Sequence, residues 1–468
     1  MFLFAGWKLT QRKLWWFSSL IHWWAEMIGR HPKLIDASGV SDLPERLQDI
    51  IRRRNTVLGP GYQFSETIPV EFVSGFGAHL VDSEGNDYLD AFNNVQGVGH
   101  SHRHVADAVS RQIATVNTDT RYPQEALVAY AERLLATLPA ELSKLSLPCT
   151  GSEANDLAVR VARFHTGGEG IIVTRWAFHG RTREVASFSP MLGAGSPLGP
   201  NVRLIAAPDP RLCASGQSLE NLMRDQVRFA IHDLNRHGYR LAALIADSAF
   251  TSDGIFTHPV GFMQAMVEEV HAAGGLHIAD EVQSGFAQLG DSMWGFSRHG
   301  VVPDIVTMGK AIGNGFPISG VAFRPEVSDE FGQKVSYFNT LGGRSLSVAA
   351  ASAVLDVFEQ DNVRERVAMN GATLLAGLGT LTRNSPYVSE IRGSGLYLGV
   401  EIVKDRETLE PDAIRCESII KDLRDRRVLI SRTGPAGNVL KVRPPVAFTA
   451  ADVSRFLETF AMVAKQLL

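Results

Sequence analysis

Cysteine is scarce: 468 residues contain three, Cys149, Cys213 and Cys416, and no two lie close together. An odd, scattered set disfavours a disulfide framework and a structural zinc site, and it fits a reducing, cytoplasmic compartment. Charge imbalance is missing as well. Forty-six Lys and Arg stand against 50 Asp and Glu, a formal net charge of −4, so bulk electrostatics draws neither nucleic acid nor an acidic lipid surface to this chain. No repeat or low-complexity tract interrupts it. A membrane-spanning run is absent too. Leu14 to Ile28 is apolar apart from Ser18, Ser19, His22 and Glu26, but it falls short of the roughly 20 residues a spanning helix needs, and Lys8, Arg12 and Lys13 precede it. Bulky Trp23, Trp24 and Met27 occupy the place where a secretory signal would carry small residues for cleavage.

What is present is an ordinary globular composition, 45% apolar and 21% charged, long enough for two or three domains at about 150 residues each. Residues 1–40 form a Trp-rich extension holding Trp7, Trp15, Trp16, Trp23 and Trp24. Three readings fit it: an amphipathic helix on a membrane surface, an arm packed on its own or a neighbouring subunit, or an extension outside the fold. From about Ile68 strands are expected, with a hairpin turn at Gly85 and Asn86. Next come two segments with helical spacing, VADAVSRQIATV and ALVAYAERLLATL, and then strands that alternate with helices. Leu204–Ala206, Ala243–Ala246, Leu276–Ala279 and Asp304–Met308 are short apolar runs suited to a parallel sheet buried on both faces. Ser345 to Phe358 predicts a long helix, and RGSGLYLGVEIV predicts a return to strand after a Gly-rich turn. The resulting plan is α/β. A large domain at 95–345 has a mainly parallel sheet between helices, and a smaller α+β domain is assembled from 41–94 and 346–468.

Two segments concentrate the chemistry. LHIADEVQSGF places Asp280 at one strand end, and DIVTMGKAIGNGFPIS places Lys310 just after another. Ligands of open α/β sheets bind outside the carboxyl ends of the strands, so this acid and this amine can reach one molecule. Alone, Asp280 is a turn cap and Lys310 a solvated lysine. Together they are the pair that pyridoxal 5′-phosphate requires, an amine to condense with its aldehyde and a carboxylate to keep its ring nitrogen protonated. TGSEANDLAVRVARF adds a helix start at Thr150, Gly151 and Ser152, whose free N–H groups suit a phosphate.

The ordered set GSEAN, AFHG, IADEVQSGF, TMGKAIGNGFPIS, NTLGG and RGSGL resembles the class III aminotransferases, from about Ile68 to the C-terminus. The resemblance implies fold type I and pyridoxal phosphate held by Lys310 as an imine. It implies Asp280 on the pyridine nitrogen, Val282 and Phe178 on opposite ring faces, His179 beside them, and Gln283 near the phenolic oxygen. Phe178 stands where the family often has Tyr. Gly151 and Ser152 would receive the phosphate, and Thr340 would donate a hydroxyl to the phosphate in the partner subunit, making the active unit a homodimer. Arg392 matches an arginine that often binds a substrate carboxylate, a task for which a guanidinium fork is suited. Arg344 and Ser345 replace the usual Asn-Pro, and Asp247 falls where many members carry Glu. The implied activity is transfer of an amino group from an amine or amino acid to a 2-oxo acid such as pyruvate or 2-oxoglutarate. The alternative is a lyase on the same cofactor, because NNVQGVGHSH, NTDTRY and YFNT resemble the branch that includes phospholyases of phosphorylated amino alcohols. From another class, a catalytically silent scaffold working through its Trp-rich arm is opposed by the presence of both Lys310 and Asp280.

Overall fold

The computed structural model describes residues 43–62, 64 and 69–468; the Trp-rich extension and its three readings lie outside the described residues. The chain divides into two units. The first comprises residues up to Glu71 with Gly193–Gly195. Its described part contains α1, Glu45–Val57, which starts after Pro44 and ends near a contact of Arg54 with the ring of Phe64.

The second unit, Phe72–Leu192 and Ser196–Leu468, carries the sheets. Its centre is a seven-stranded sheet in the order β4-β10-β9-β8-β7-β5-β6. These strands are β4 Lys144–Ser146, β5 Gly170–Thr174, β6 Val202–Ile205, β7 Leu241–Asp247, β8 Leu276–Asp280, β9 Ile305–Met308 and β10 Gly320–Phe323. The five from β6 to β9 run parallel, and β10 lies antiparallel to both β9 and β4. Side chains alternate across a strand, so an all-apolar strand feeds two cores at once. Ile171, Val173, Ile245, Ile278 and Ile305 pack with Ala154, Leu157, Ala158 and Val161 of helix Gly151–Thr166. Ile172, Leu244, Ala246, Ala279 and Val306 pack on the other face with residues of helices Leu219–Arg236 and Phe262–Ala272. The expected runs thus all form strands, within a residue or two at their ends.

Two four-stranded sheets flank the centre. β1 Phe72–Phe76, β2 His79–Asp82 and β3 Asp87–Asp90 form a meander that β13, Val428–Leu429, joins in parallel. β11 Val388–Ser394, β12 Tyr397–Ile402, β15 Val439–Val442 and β14 Ser431–Thr433 form the other. One expectation shifts here: strand character was expected only after the Gly-rich turn, but β11 already precedes it and contains Arg392, and β12 follows it. The predicted helix at Ser345 is present and runs to Gln360. No helix among the described residues is long and apolar enough to cross a membrane.

Candidate active site

Three strand ends meet at one edge of the central sheet, and each delivers a polar group. β8 ends on Asp280, β7 ends on Asp247 in register with it, and Lys310 follows β9 by two residues. Asp280 is buried and accepts three hydrogen bonds. Nδ1 of His179 lies 2.7 Å from its Oδ2, Nδ2 of Asn155 donates to that oxygen at 2.9 Å, and the backbone N–H of Val282 donates to Oδ1 at 3.0 Å. Asn155 itself is fixed by its donation to the His179 carbonyl at 2.7 Å and by the Thr307 hydroxyl, which donates to its Oδ1 at 2.6 Å. One amide thus ties helix Gly151–Thr166 to the ends of β8 and β9.

Lys310 is half-buried and has a left-handed backbone, φ +43°. Burial is the main force that brings its amine down to about 8; the cation of Arg443 lowers it further, and Asp280 and Asp247 oppose both. Asp247 turns its carboxylate into its own loop, where the N–H groups of Ala249 and Thr251 donate to it, each at 2.9 Å. Burial pushes its carboxyl up.

The phosphate-type end is built as a close approach of small residues. Thr150 caps the helix by accepting from the Glu153 N–H at 3.2 Å, and Gly151 opens it. A Cβ on Gly151 would stand 3.0 Å from both Val282 methyl carbons, and one on Gly309 would stand 3.3 Å from Val282 Cγ1. Ser152 Oγ accepts from the Arg181 N–H at 3.1 Å, and Gly180, φ +144°, lies against Ser152 so tightly that a Cβ there would overlap its hydroxyl. Phe178 and His179 line a small cavity with Thr174, Asp247 and Asp253, and the guanidinium of Arg181 stands over the Phe178 ring.

Gln283 Oε1 accepts from Arg443 Nη1 and lies 3.2 Å from the Tyr397 hydroxyl. Arg392 is enclosed by its own partners. Its Nε donates to the carbonyls of Gly254 and Ile255, each at 2.9 Å, and its Nη1 meets Glu390 at 2.9 Å and Glu401 at 3.0 Å. Thr340 is exposed on a loop whose neighbour Asn339 donates to Glu153 at 3.2 Å, and Arg344 Nη1 donates to its carbonyl at 3.0 Å. The structure therefore gathers Lys310, Asp280, His179, Val282, Gly151 and Ser152; Arg392 is bonded to Gly254, Ile255, Glu390 and Glu401, and Thr340 is exposed beside Asn339.

Sequence reasoning passed over Asn155, Thr307, Tyr397 and Arg443. Asn155 left one trace, a polar residue at helical spacing from Ala158, Val159 and Ala162 on an otherwise apolar face.

The chain matches the family model "Aminotransferase class-III" over residues 63–463. It belongs to the class III aminotransferase family. Among its relatives, "Alanine--glyoxylate aminotransferase 2-like" of Drosophila melanogaster is 35% identical, with 88% of this chain and 86% of the relative covered. "Ethanolamine-phosphate phospho-lyase homolog 1" of Caenorhabditis elegans is 34% identical over 87% of this chain and 91% of its own. A solved phospholyase from Arthrobacter in complex with phosphoethanolamine is 38% identical and superposes with a TM-score of 0.87, covering 90% of this chain and 100% of that one. Members of the class III family use pyridoxal phosphate. The residues present fit that group: a buried, triply bonded carboxylate, an amine near the same edge, and a glycine-lined helix start that a Cβ would obstruct.

Proposed function

We propose that this chain is a pyridoxal-phosphate-dependent phospholyase acting on a small phosphorylated amino alcohol such as O-phosphoethanolamine. The observation that carries this reading is the enclosure of Arg392. Two carboxylates, two carbonyls and the ring of Phe256 at 4.5 Å already occupy its guanidinium. A substrate carboxylate would have to compete with groups tethered beside the arginine, whereas a substrate without one has no need of it. Likeness to the Arthrobacter phospholyase supports the same choice.

Bound through its aldehyde, the cofactor supplies an electron sink for the carbon next to the substrate nitrogen. The chain does the rest. Lys310, with its amine near 8, would remove the proton from that carbon, and Asp280, fixed by His179 and Asn155, would hold the ring nitrogen protonated. Gly151 and Ser152 would hold the cofactor phosphate at the helix start, Val282 and Phe178 would bound its ring, and Gln283 would serve its phenolic oxygen. In elimination, the electron pair left on that carbon when Lys310 takes its proton would form a C=C bond to the neighbouring carbon as the C–O bond to phosphate breaks, and the Lys310 ammonium would return the proton to that neighbouring carbon. Water then releases ammonia and an aldehyde, with no change in oxidation state overall and no 2-oxo acid.

The second reading is transamination from an amine or amino acid to a 2-oxo acid, supported by relatives named alanine–glyoxylate aminotransferases. Incubation with O-phosphoethanolamine separates the two: phosphate release without an acceptor supports the lyase, and strict dependence on pyruvate or 2-oxoglutarate sinks it. The large domain at 95–345 and the small domain from 41–94 and 346–468 belong to this proposal. So does a homodimer in which Thr340 serves the partner's site; exposed Tyr337, Phe338 and Leu341 around it support that contact. The three free cysteines fit a cytoplasmic location.

A further inference from the structure

Arg443 follows β15 and brings a guanidinium into the interior with only 5% of the residue exposed. Strand alternation sets its direction. Leu440 and Val442 face the core, so Lys441 and Arg443 share the other side, near the Phe92 ring at 5.8 and 5.5 Å. Nε and Nη2 of Arg443 donate to the Phe92 carbonyl at 3.2 and 3.1 Å, and Nη1 meets Gln283 Oε1 and, at 3.4 Å, the Tyr397 hydroxyl. All of these partners are neutral. A guanidinium has donors and no acceptor, so the amide atom of Gln283 that faces it must be oxygen. The Gln283 amide therefore has one orientation, with its N–H group turned away from the arginine. The Tyr397 hydroxyl, 3.2 Å from the same oxygen and 2.9 Å from Thr251 Oγ1, has one proton for the two of them.

We propose that Arg443 is a positioning residue of the active site: it fixes the amide of Gln283, three residues after Asp280, and sets a buried cation at that edge of the site. The proposal rests on the reading that Lys310 carries the cofactor. Charges around the amine come from several elements. Asp280 at the end of β8 and Asp247 at the end of β7 favour the ammonium, His179 pairs with Asp280, and Tyr397 of β12 is a phenol whose proton burial retains. Arg443 is the cation that opposes the two carboxylates, and a buried charge is poorly screened.

The test needs no substrate. Apoprotein is mixed with pyridoxal phosphate across pH, and both the rate of capture and the affinity are read from visible absorbance, for wild type, Arg443→Met, Arg443→Gln and Arg443→Lys. Removing the charge should raise the pH midpoint of capture by about one unit, whereas Arg443→Lys should keep it. All three should lose affinity about five- to tenfold, because the Gln283 amide is no longer held. The two neutral variants back each other should one fail to fold. An unmoved midpoint in a folded neutral variant overturns the proposal, as does full affinity in Arg443→Lys. Failure of the underlying reading looks different: borohydride would then fix the cofactor to a residue other than Lys310 in the wild-type protein.

Discussion

His179 and Asp280 meet at 2.7 Å with 1% and 5% of their side chains exposed, so the carboxylate is oriented by a neighbour that solvent barely reaches. Asp280→Asn keeps the shape and removes the charge facing the ring nitrogen. We expect the variant to retain cofactor absorbance and to lose turnover by on the order of a hundred- to a thousandfold. Full turnover in Asp280→Asn would show that the carboxylate is not the ring's partner.

Gly151 tests the close approach at the helix start. In Gly151→Ala the new methyl meets both Val282 methyl carbons at 3.0 Å, so the valine must move. Cofactor affinity should fall about tenfold, roughly 1.4 kcal/mol. Val282→Ala in the same chain should restore part of it. Equilibrium titration with pyridoxal phosphate reads both, and an additive loss in the double variant would contradict the steric account.

Arg392 separates a structural role from a substrate-binding one. Its side chain is 8% exposed and that of Glu401 13%, so Arg392→Met strands a buried carboxylate, although Arg211 at 2.8 Å remains on it. The expected cost is about 2–4 kcal/mol of stability, seen as a lower unfolding midpoint in urea. The KM for O-phosphoethanolamine should stay within about twofold, since uniform binding is lost only where a substrate contact is. A large rise in KM with unchanged stability would reverse the assignment.

Asp253 gives a pH signature. Burial pushes its carboxyl up to about 7, against the Thr174 hydroxyl and Trp176 N–H that favour the anion. Between the ordinary carboxylate range and about 7 the folded chain holds a proton that the unfolded chain has released, so this group makes stability fall as pH rises through that window. His277, pushed down to about 4 by burial, contributes the opposite slope, and only the difference between variants isolates Asp253. In Asp253→Asn the amide can donate to the Thr174 hydroxyl and accept from the Trp176 N–H. Urea midpoints at pH 5 and pH 8 should therefore differ less favourably for pH 8 in the wild type than in the variant. Equal pH dependence would mean that Asp253 is ionised in the fold.

Strands β6, β7, β8 and β9 of the central sheet were legible because strands buried on both faces are written as continuous apolar runs, whereas β4, β5 and β10 were passed over; Asp280 and Lys310 stood out as polar groups immediately after such runs. The Thr150 cap and Gly151 were legible for a similar reason: the cap and the apolar stripe are local. Arg443 was not, because its partners Phe92 and Gln283 are brought to it by other sheets and neither follows from spacing around KVRPP. β13 escaped notice since two residues carry no periodicity. The surroundings of Arg392 were equally hidden, being assembled from Gly254, Ile255 and Glu401 on separate segments.

The left-handed backbone of Lys310, φ +43°, sets a trap for protein engineers. A side chain there carries a steric cost of about 1–2 kcal/mol that glycine escapes. Selection for heat resistance alone would reward glycine at 310 and yield a hardier, inert protein, so libraries screened for thermal tolerance must hold this codon fixed.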